Sequence, residues 1–273
     1  MSAAPTVPAT DVTAKRTPSL AGVNTTVLAL EIRRLLRNRR TVIFALIVPP
    51  LFFLLFGLNK AYSHQPAGQG SHGNVSAFIM ISMALYGAVL ATTSGGAMVS
   101  IERAAGWSRQ LRLTPLRPVG YIVIKMLTAM VLGAAAVIAV YVVGKITGVP
   151  AMDPGYAYLW IVTPLCVWVG SLVFAAFGLF LGYLLPTENV MQYLGIALLL
   201  FAFGGGLFIP LNTYPHALQV LAKFTPLYGL NQLVHAPQLG GNVHMVWVLN
   251  AVAWLVIFAG GAVWRFRKDT ARV

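Results

Sequence analysis

Six long stretches of this 273-residue chain contain no Asp, Glu, Lys or Arg, apart from one lysine, and they limit what the chain can fold into. The stretches cover residues 42–58, 75–101, 121–144, 156–185, 190–209 and 243–264. A helix of about 20 apolar residues crosses the hydrocarbon core of a bilayer. Only 9% of the residues are charged, whereas soluble domains have about 25%. The sequence therefore predicts an all-α integral membrane protein with six transmembrane helices.

Three of these stretches are expected to depart from simple straight helices. The first is the shortest and contains Pro49 and Pro50, so we expect it to be kinked or partly unwound. The second and the fourth are long enough to tilt or to project beyond the bilayer.

The distribution of basic residues indicates the orientation of the chain. With six transmembrane helices, 16 of the 19 lysines and arginines lie on the side of the two termini, and only Lys60, Lys145 and Lys223 lie on the other. An excess of basic residues is typical of cytoplasmic loops. The sequence therefore predicts a multi-pass protein of the cytoplasmic (inner) membrane with both termini in the cytosol. The clustering of these residues also argues against nucleic-acid binding, despite the net charge of +13.

The chain begins with two segments of different character. Residues 1–22 lack hydrophobic periodicity and predict a disordered cytosolic tail, and residues 268–273 form a second, short tail. Residues 23–40 combine an apolar stripe with an arginine-rich remainder; the stripe is Leu28, Ile32, Leu35 and Leu36, and the arginines are Arg33, Arg34, Arg37, Arg39 and Arg40. This pattern predicts an amphipathic helix in the plane of the inner leaflet. The alternative is a solvated helix that precedes the first transmembrane helix.

Residues 210–242 are mostly apolar, but prolines divide them into short pieces. A helix of about ten residues covers about 15 Å, which is half of the hydrocarbon core. The sequence therefore predicts an external hairpin of two short helices, at residues 215–224 and 226–236. A seventh transmembrane helix here would carry the basic C-terminus to the outside, so it is rejected.

No catalytic residue, metal site or cofactor is predicted in this chain. The six acidic residues are far apart in the sequence, and the five histidines lie in predicted external segments without metal-ligand spacing. The single cysteine, Cys166, excludes an intramolecular disulfide and a multi-thiolate site. The sequence contains no phosphate-binding loop of the G-x-x-x-x-G-K-[ST] type. We therefore expect that the chain is not an enzyme and that any ATP is bound by another subunit.

The cytosolic loop after the second stretch is the segment best suited to a protein partner. Residues 102–114 can form a short amphipathic helix that ends at Thr114 and Pro115. Its charged residues, which we expect to be exposed, suit contact with a soluble protein; they are Glu102, Arg103, Arg109 and Arg112.

The order of these features resembles the permeases of the type-two ATP-binding-cassette exporters, a group that includes daunorubicin-resistance, polysaccharide and lipid export systems. The resemblance covers residues 23–267. The matching pieces are the arginine-rich helix, the proline-containing first stretch, the Glu102-Arg103-x-x-Gly106 to Thr114-Pro115-Leu116 loop with Lys125 after it, and the run from Gly206 to Pro215. Ala104 and Ala105 stand where many relatives carry another acidic residue.

The resemblance implies that residues 102–114 are a coupling helix, which sits in a cleft of a separate ATPase subunit that binds ATP and Mg. The implied contact residues are Glu102, Arg103, Gly106, Arg109, Arg112, Thr114 and Pro115, with Arg33, Arg34 and Arg37 of the interfacial helix. The resemblance also implies a second permease, either an identical copy in a homodimer or a paralogue. The substrate path would then lie between the two permeases, lined by transmembrane helices one, two and five.

The candidate path residues are mostly large and apolar: Phe52, Phe56, Met83, Thr92, Phe201 and Phe208. Such a surface predicts a small lipophilic or amphiphilic substrate, such as a drug, an antibiotic or a lipid, and does not suit a sugar chain. Small residues at positions 92–97 allow close helix contacts that such a path would use. The alternative is that these small residues serve packing alone.

The resemblance implies the permease subunit of an ATP-driven exporter, of the kind that acts in multidrug efflux and antibiotic resistance. One alternative is a membrane sensor or immunity subunit that transports nothing. Another is a membrane-embedded enzyme that modifies lipids, which would need a reactive cluster near the lipid head groups.

Overall fold

The computed structural model describes residues 25–106, 118–148 and 154–271, and these residues form helices and turns without a β-strand. The α-helices, in chain order, are α1 (Thr25–Arg37), α2 (Arg39–Gly57), α3 (Lys60–His64), α4 (Val75–Ala97), α5 (Val99–Ala104), α6 (Pro118–Ile146), α7 (Leu159–Gly170), α8 (Leu172–Leu184), α9 (Thr187–Gly204), α10 (His216–Ala222), α11 (Pro226–His235) and α12 (Met245–Ala271). The predicted all-α class is confirmed. The tail predicted at residues 1–22 lies outside the described residues.

Within the described part of the chain, five helical stretches are long and apolar enough to cross a membrane. They are Val75–Ala104, Val119–Ile146, Leu159–Leu184, Thr187–Gly204 and Met245–Lys268. The first of the six predicted transmembrane helices corresponds to a shorter apolar helix, Val42–Gly57. The protein is therefore a multi-pass membrane protein, and a sixth crossing by Val42–Gly57 stays a prediction.

Two of the long stretches are interrupted helices. α4 and α5 are separated at Met98, and α7 and α8 are separated at Ser171. At the second break, the Thr92 hydroxyl of α4 donates a hydrogen bond to the Ser171 carbonyl oxygen over 3.2 Å. The Ser171 hydroxyl in turn donates to the Trp168 carbonyl oxygen over 2.7 Å. Because polar groups at the break are paired within the protein, the break is compatible with a position inside the membrane.

The partial unwinding that we considered for the first stretch is wrong. α2 continues as a helix through Pro49 and Pro50 to Gly57. Pro49 packs directly on α4 at Gly87, where an added Cβ atom would lie 2.7 Å from the Pro49 Cγ atom. Contacts of α2 with both α4 and α6 stabilise the helix although each proline lacks a backbone N–H donor.

α4 forms the centre of the bundle and packs against α2, α6 and α8. Its approach to α8 depends on glycine. A Cβ atom on Gly96 would lie 2.5 Å from the Ala175 carbonyl oxygen, and one on Gly178 would lie 2.1 Å from the Thr93 carbonyl oxygen. No side chain fits at these distances, since carbon and oxygen atoms in contact are about 3.5 Å apart. The small residues at positions 92–97 therefore serve packing within this chain.

The segment after α9 folds back onto the N-terminal end of α4. Its two short helices, α10 and α11, agree with the helix pair expected from the prolines. Asn231 of α11 donates hydrogen bonds to the carbonyl oxygens of Gly205 and Gly206, over 3.2 and 3.0 Å. Gln238 donates to the Asn74 carbonyl oxygen, just before α4, over 3.0 Å. This segment is thus tied by side-chain amides to the ends of two long helices.

The orientation can be tested by cysteine labelling in a Cys166→Ala background. Thr213→Cys and Asn242→Cys should react with a membrane-impermeant maleimide in intact cells, because both positions are exposed in the segment that we place outside. Gln238→Cys is the matched control and should stay unlabelled, because that side chain is fully buried. Ala105→Cys should react only after permeabilisation. Labelling of Ala105→Cys in intact cells would show that the chain has the opposite orientation in the membrane.

Candidate functional site

A buried group of charges lies at the end of the bundle that the sequence assigns to the cytosol. The Lys125 Nζ atom lies 2.6 Å from Glu31 Oε2 and 2.6 Å from Glu102 Oε1. Arg34 Nη1 lies 3.1 Å from the same oxygen of Glu102, and the Tyr121 hydroxyl donates a hydrogen bond to Glu102 Oε2. We refer to these five residues as the charge cluster.

Three separate helices supply the charge cluster. Glu31 and Arg34 lie one turn apart on α1, so their side chains share one face of that helix. Tyr121 and Lys125 likewise lie one turn apart on α6. Glu102, in the first turn of α5, contacts both pairs. The cluster therefore joins the N-terminal helix, the start of the cytosolic loop and a long membrane helix at one point.

The burial of the charge cluster makes its members depend on one another. The exposed fraction of the side chain is 5% for Lys125, 5% for Glu102 and 11% for Glu31, whereas Arg34 is 52% exposed. Two carboxylates face two cations, so the charges balance. Removal of one member of a buried ion pair costs about 3–5 kcal/mol, because the remaining charge is left without compensation.

Arg103, next to Glu102, adds a contact with α8 at the end of the bundle that the sequence assigns to the cytosol. Its Nη1 atom donates to the carbonyl oxygens of Gly182 and Tyr183, over 3.0 and 2.8 Å, at the end of α8. Basic side chains commonly satisfy the last carbonyl groups of a helix in this way. In the same layer, the Thr187 hydroxyl of α9 donates to the Ser100 carbonyl oxygen over 2.8 Å. α5 is thus bonded to α8 and α9 as well as to the charge cluster.

The expected exposure of Glu102 is wrong, since the residue is 4% exposed and its contacts lie within the chain. The physical reason is that Lys125 and Arg34 compensate its charge, so no external cation is needed to bury it. Arg103 is also partly buried. Gly106 ends the described part of the loop with a φ of 74°, which glycine adopts readily.

Of the other residues that the resemblance assigned to the ATPase contact, two are exposed on α1 and four lie outside the described part of the chain. Arg33 and Arg37 are exposed on α1, as expected for a surface contact. Four residues lie outside the described residues: Arg109, Arg112, Thr114 and Pro115.

Sequence reasoning missed Glu31, Tyr121 and Lys125. A signal for two of them was present. Lys125 is the only charged residue in the stretch 121–144, and Glu31 is the only acidic residue in the helical segment 23–40. A lone charge in a membrane segment requires a partner inside the protein, and this rule would have matched Lys125 with the isolated acids. Nothing in the sequence signals Tyr121.

Lys125→Met should destabilise the folded protein by about 3–5 kcal/mol, because it leaves two buried carboxylates without their shared cation. The measurement is unfolding by denaturant in detergent micelles. Lys145→Met is the matched control, since Lys145 is an exposed residue at the other end of α6 and lies over the Trp160 ring. The control should cost much less. An equal loss of unfolding free energy in both variants would show that the charge cluster contributes no more to stability than an exposed lysine does.

A cavity of about 450 Å³ opens between α2, α3, α4 and the turn that follows α9. Its lining is mainly aromatic and aliphatic: Phe52, Phe56, Tyr62, Phe78, Ile79, Ser82, Met83, Leu207 and Phe208. Tyr86 supports this wall from α4, with ring centroids 6.5 Å from Phe52 and 5.3 Å from Phe208. The cavity has the size of common small-molecule sites.

Four of the six candidate path residues line this cavity, namely Phe52, Phe56, Met83 and Phe208. The other two do not. Thr92 is fully buried, and its hydroxyl donates to the Ala88 carbonyl oxygen as well as to Ser171. Phe201 packs between α8 side chains, with its ring centroid 5.4 Å from that of Phe177. Both are packing residues in this chain because α7 and α8 cover that part of α4 and α9.

Ser82 and His235 join the cavity wall to the external segment. The Ser82 Oγ atom lies 3.1 Å from Nε2 of His235, which is 2% exposed. The Nδ1 atom of His235 lies 2.9 Å from the Asn231 carbonyl oxygen, and the ring packs on Phe78 with centroids 4.1 Å apart. Burial lowers the pKa of His235, while hydrogen bonds to the Asn231 and Phe78 carbonyl groups act in the opposite direction. The neutral ring is therefore the form that the fold accommodates.

Acidification should weaken the fold through His235. Its pKa in the folded protein lies below the unfolded value of about 6.5, so the unfolded chain binds more protons and stability falls as the pH drops below that value. We expect the thermal midpoint of the protein in detergent to fall between about pH 7.5 and about pH 5.5, above the range in which ordinary carboxylates titrate. The decrease in the thermal midpoint should be smaller in His235→Gln. His216→Gln, at an exposed position, is the control and should retain it in full; an unchanged fall in His235→Gln would contradict the assignment.

Comparison with known proteins gives two matches. The family of ABC-2 type transporters matches residues 24–239. A protein of Bacillus subtilis (strain 168), named "Putative transport permease YvfS", is 26% identical over 232 residues, which cover 84% of this chain and 90% of that protein. The residues matched by the family include the charge cluster, the cavity lining and His235.

Proposed function

The chain belongs to the ABC-2 type transporter family and is a multi-pass membrane protein, and from this premise we propose that it is the permease of an ATP-driven exporter for lipophilic or amphiphilic molecules. The family implies an ATPase partner, and in this proposal that partner binds ATP and Mg. A second permease, either an identical copy or a paralogue, completes the complex. Both termini lie in the cytosol, and the complex resides in the cytoplasmic membrane.

The observation that carries the substrate class is the cavity beside α4. Five of its lining residues have aromatic rings, and its polar lining side chains are Tyr62 and Ser82. Binding there removes apolar surface from water, which favours the complex by about 25 cal/mol for each Å² buried. Sugars and other strongly polar ligands would lose hydrogen bonds to water without regaining them. Drugs, antibiotics and lipids with an apolar body fit this lining.

The charge cluster supports coupling to a motor protein. The loop that we propose as the ATPase contact begins at Glu102, which is bonded to α1 and α6, and at Arg103, which is bonded to α8. A displacement of the loop therefore acts on three helices at once. Transport requires that substrate and nucleotide bind with different affinity to the two states of the complex, and such a junction can link those states.

The proposal can be tested with an ATPase subunit that copurifies with this chain, by uptake of the lipophilic dye Hoechst 33342 into inside-out vesicles. Vesicles with both subunits should take up the dye in the presence of ATP. Vesicles with the permease alone should not, and the permease alone should not be photolabelled by an ATP analogue. ATP hydrolysis by the complex without any transport of lipophilic compounds would favour a sensor, and photolabelling of the isolated chain would contradict the proposal.

A cavity-filling variant tests whether the dye uses the cavity. Ile79→Trp fills the space beside Phe52 and Phe56, so dye uptake should fall severalfold while the basal ATPase rate of the complex is kept. Overpacking costs about 1–3 kcal/mol, so the abundance of the variant in the membrane is measured in parallel. Leu249→Trp is the matched control, because Leu249 is an exposed apolar residue of α12 outside the cavity. Equal uptake by both variants would exclude this cavity from the path.

A further inference from the structure

The polar side of the cavity contains a hydroxyl group whose hydrogen is already used. Both ring nitrogens of His235 face a carbonyl oxygen that can only accept: Nδ1 lies 2.9 Å from the Asn231 oxygen, and Nε2 lies 3.3 Å from the Phe78 oxygen. The shorter contact favours the proton on Nδ1, which leaves Nε2 with a lone pair in the neutral ring. In this tautomer Ser82, 3.1 Å from Nε2, donates its hydrogen to the histidine.

Ser82 consequently offers only lone pairs to the cavity. A hydroxyl oxygen that donates its hydrogen can still accept from a second group. With the ring proton on Nδ1, the Phe78 carbonyl oxygen, 3.3 Å from Nε2, receives no hydrogen from that nitrogen. The direction of the Ser82 hydrogen bond thus follows from the Nδ1–H tautomer of His235.

The neighbouring amides show the same bias towards acceptors. The Nδ2 atom of Asn231 and the Nε2 atom of Gln238 both donate to carbonyl oxygens, which fixes the orientation of each amide. The Asn231 Oδ1 and Gln238 Oε1 atoms are buried and have no hydrogen-bond partner among the described residues. Unused hydrogen-bonding capacity at this end of the bundle therefore consists of acceptor oxygens.

The aromatic rings that line the cavity also favour a hydrogen-bond donor over an acceptor. The face of an aromatic ring carries partial negative charge and attracts N–H groups and cations. The residues that line the cavity include no lysine or arginine that could compensate an anion. An acceptor-only group would lose its hydrogen bonds to water at Ser82, and a carboxylate would in addition lack a counter-charge.

We propose that this cavity selects lipophilic molecules that carry a hydrogen-bond donor, an amine or a hydroxyl, over molecules of the same shape whose polar atom can only accept. The proposal rests on the proposed function for the identity of the cavity as a substrate site. The donor binds the Ser82 oxygen, and His235 is the positioning residue that holds the Ser82 hydrogen away from the ligand. The apolar body lies against Phe52, Phe56 and Phe208.

The test uses two probes that differ at one atom. N-phenyl-1-naphthylamine has an N–H donor where 1-phenoxynaphthalene has an ether oxygen, and the two have nearly the same shape. Binding of the tritiated amine to the purified permease in detergent is measured by scintillation proximity, with the ether as competitor. One hydrogen bond gained or lost in a buried site corresponds to about tenfold in affinity, so the amine should bind about ten times more tightly.

Variants at Ser82 decide whether the preference arises at this hydroxyl. Ser82→Ala should bind amine and ether equally, with ether affinity unchanged, whereas Ser82→Thr keeps the hydroxyl and should keep the preference. Ser76→Ala is the matched control on α4, since the Ser76 hydroxyl donates to the Gly57 carbonyl oxygen and is not among the lining residues. It should retain the full preference. If Ser82→Ala is too unstable to purify, Ser82→Cys serves in its place, because a thiol accepts hydrogen bonds only weakly.

The outcomes separate this inference from the proposed function. Equal binding of amine and ether by the unmodified protein, or a preference that survives in Ser82→Ala, would overturn the inference, even if ATP-driven dye uptake proceeds. A preference that depends on Ser82 would uphold the ligand class, even if the vesicle experiment shows no transport and the proposed function fails.

Discussion

A charge or a polar backbone group surrounded by hydrocarbon must find its partner inside the protein, and this requirement shapes both ends of the bundle. At the end that we assign to the cytosol, Lys125 has two carboxylate partners, which come from α1 and α5. At the opposite end, side-chain amides of the segment after α9 cap the backbone around Gly205 and before α4. In both places a segment outside the long helices is held because it supplies a missing partner.

Between these two ends, close backbone contacts at glycines hold α4 against α8. Gly96 and Gly178 let the backbones of α4 and α8 touch, at distances that leave no room for a Cβ atom. The break at Ser171 lies beside this contact and is paired with Thr92. Packing of this kind is rigid, since any larger residue forces the backbones apart. The cavity beside α4 therefore has one wall on a helix that is packed tightly against α8, and its other walls are α2, α3 and the turn after α9.

Much of the fold follows from the sequence because its causes are local. Uncharged stretches predict six transmembrane helices, of which five are long enough in the structure to cross a membrane, and prolines predict α10 and α11. The charge cluster could not be found in this way, because Glu31 and Lys125 are 94 positions apart and meet only when the bundle is assembled. Small polar residues on a membrane helix suit both helix packing and a substrate path, so the sequence alone could not separate these two roles for Thr92. In the structure Thr92 is buried and bonded at the end of α7, which indicates packing. The ATPase contacts proposed for residues 109–115 stay predictions, because these residues lie outside the described part of the chain.

The pairing of Glu31 with Lys125 also has a consequence for synthesis of the chain. Ribosomes add about 5–20 residues each second, so the 94 residues that separate the two positions take roughly 5–20 s to make. During this interval α1 carries a carboxylate whose buried cation does not yet exist, and Glu102 of α5 is made only 23 residues before that cation. The N-terminal helix can reach its final place only after α6 has entered the membrane, so its docking marks the completion of the first half of the bundle.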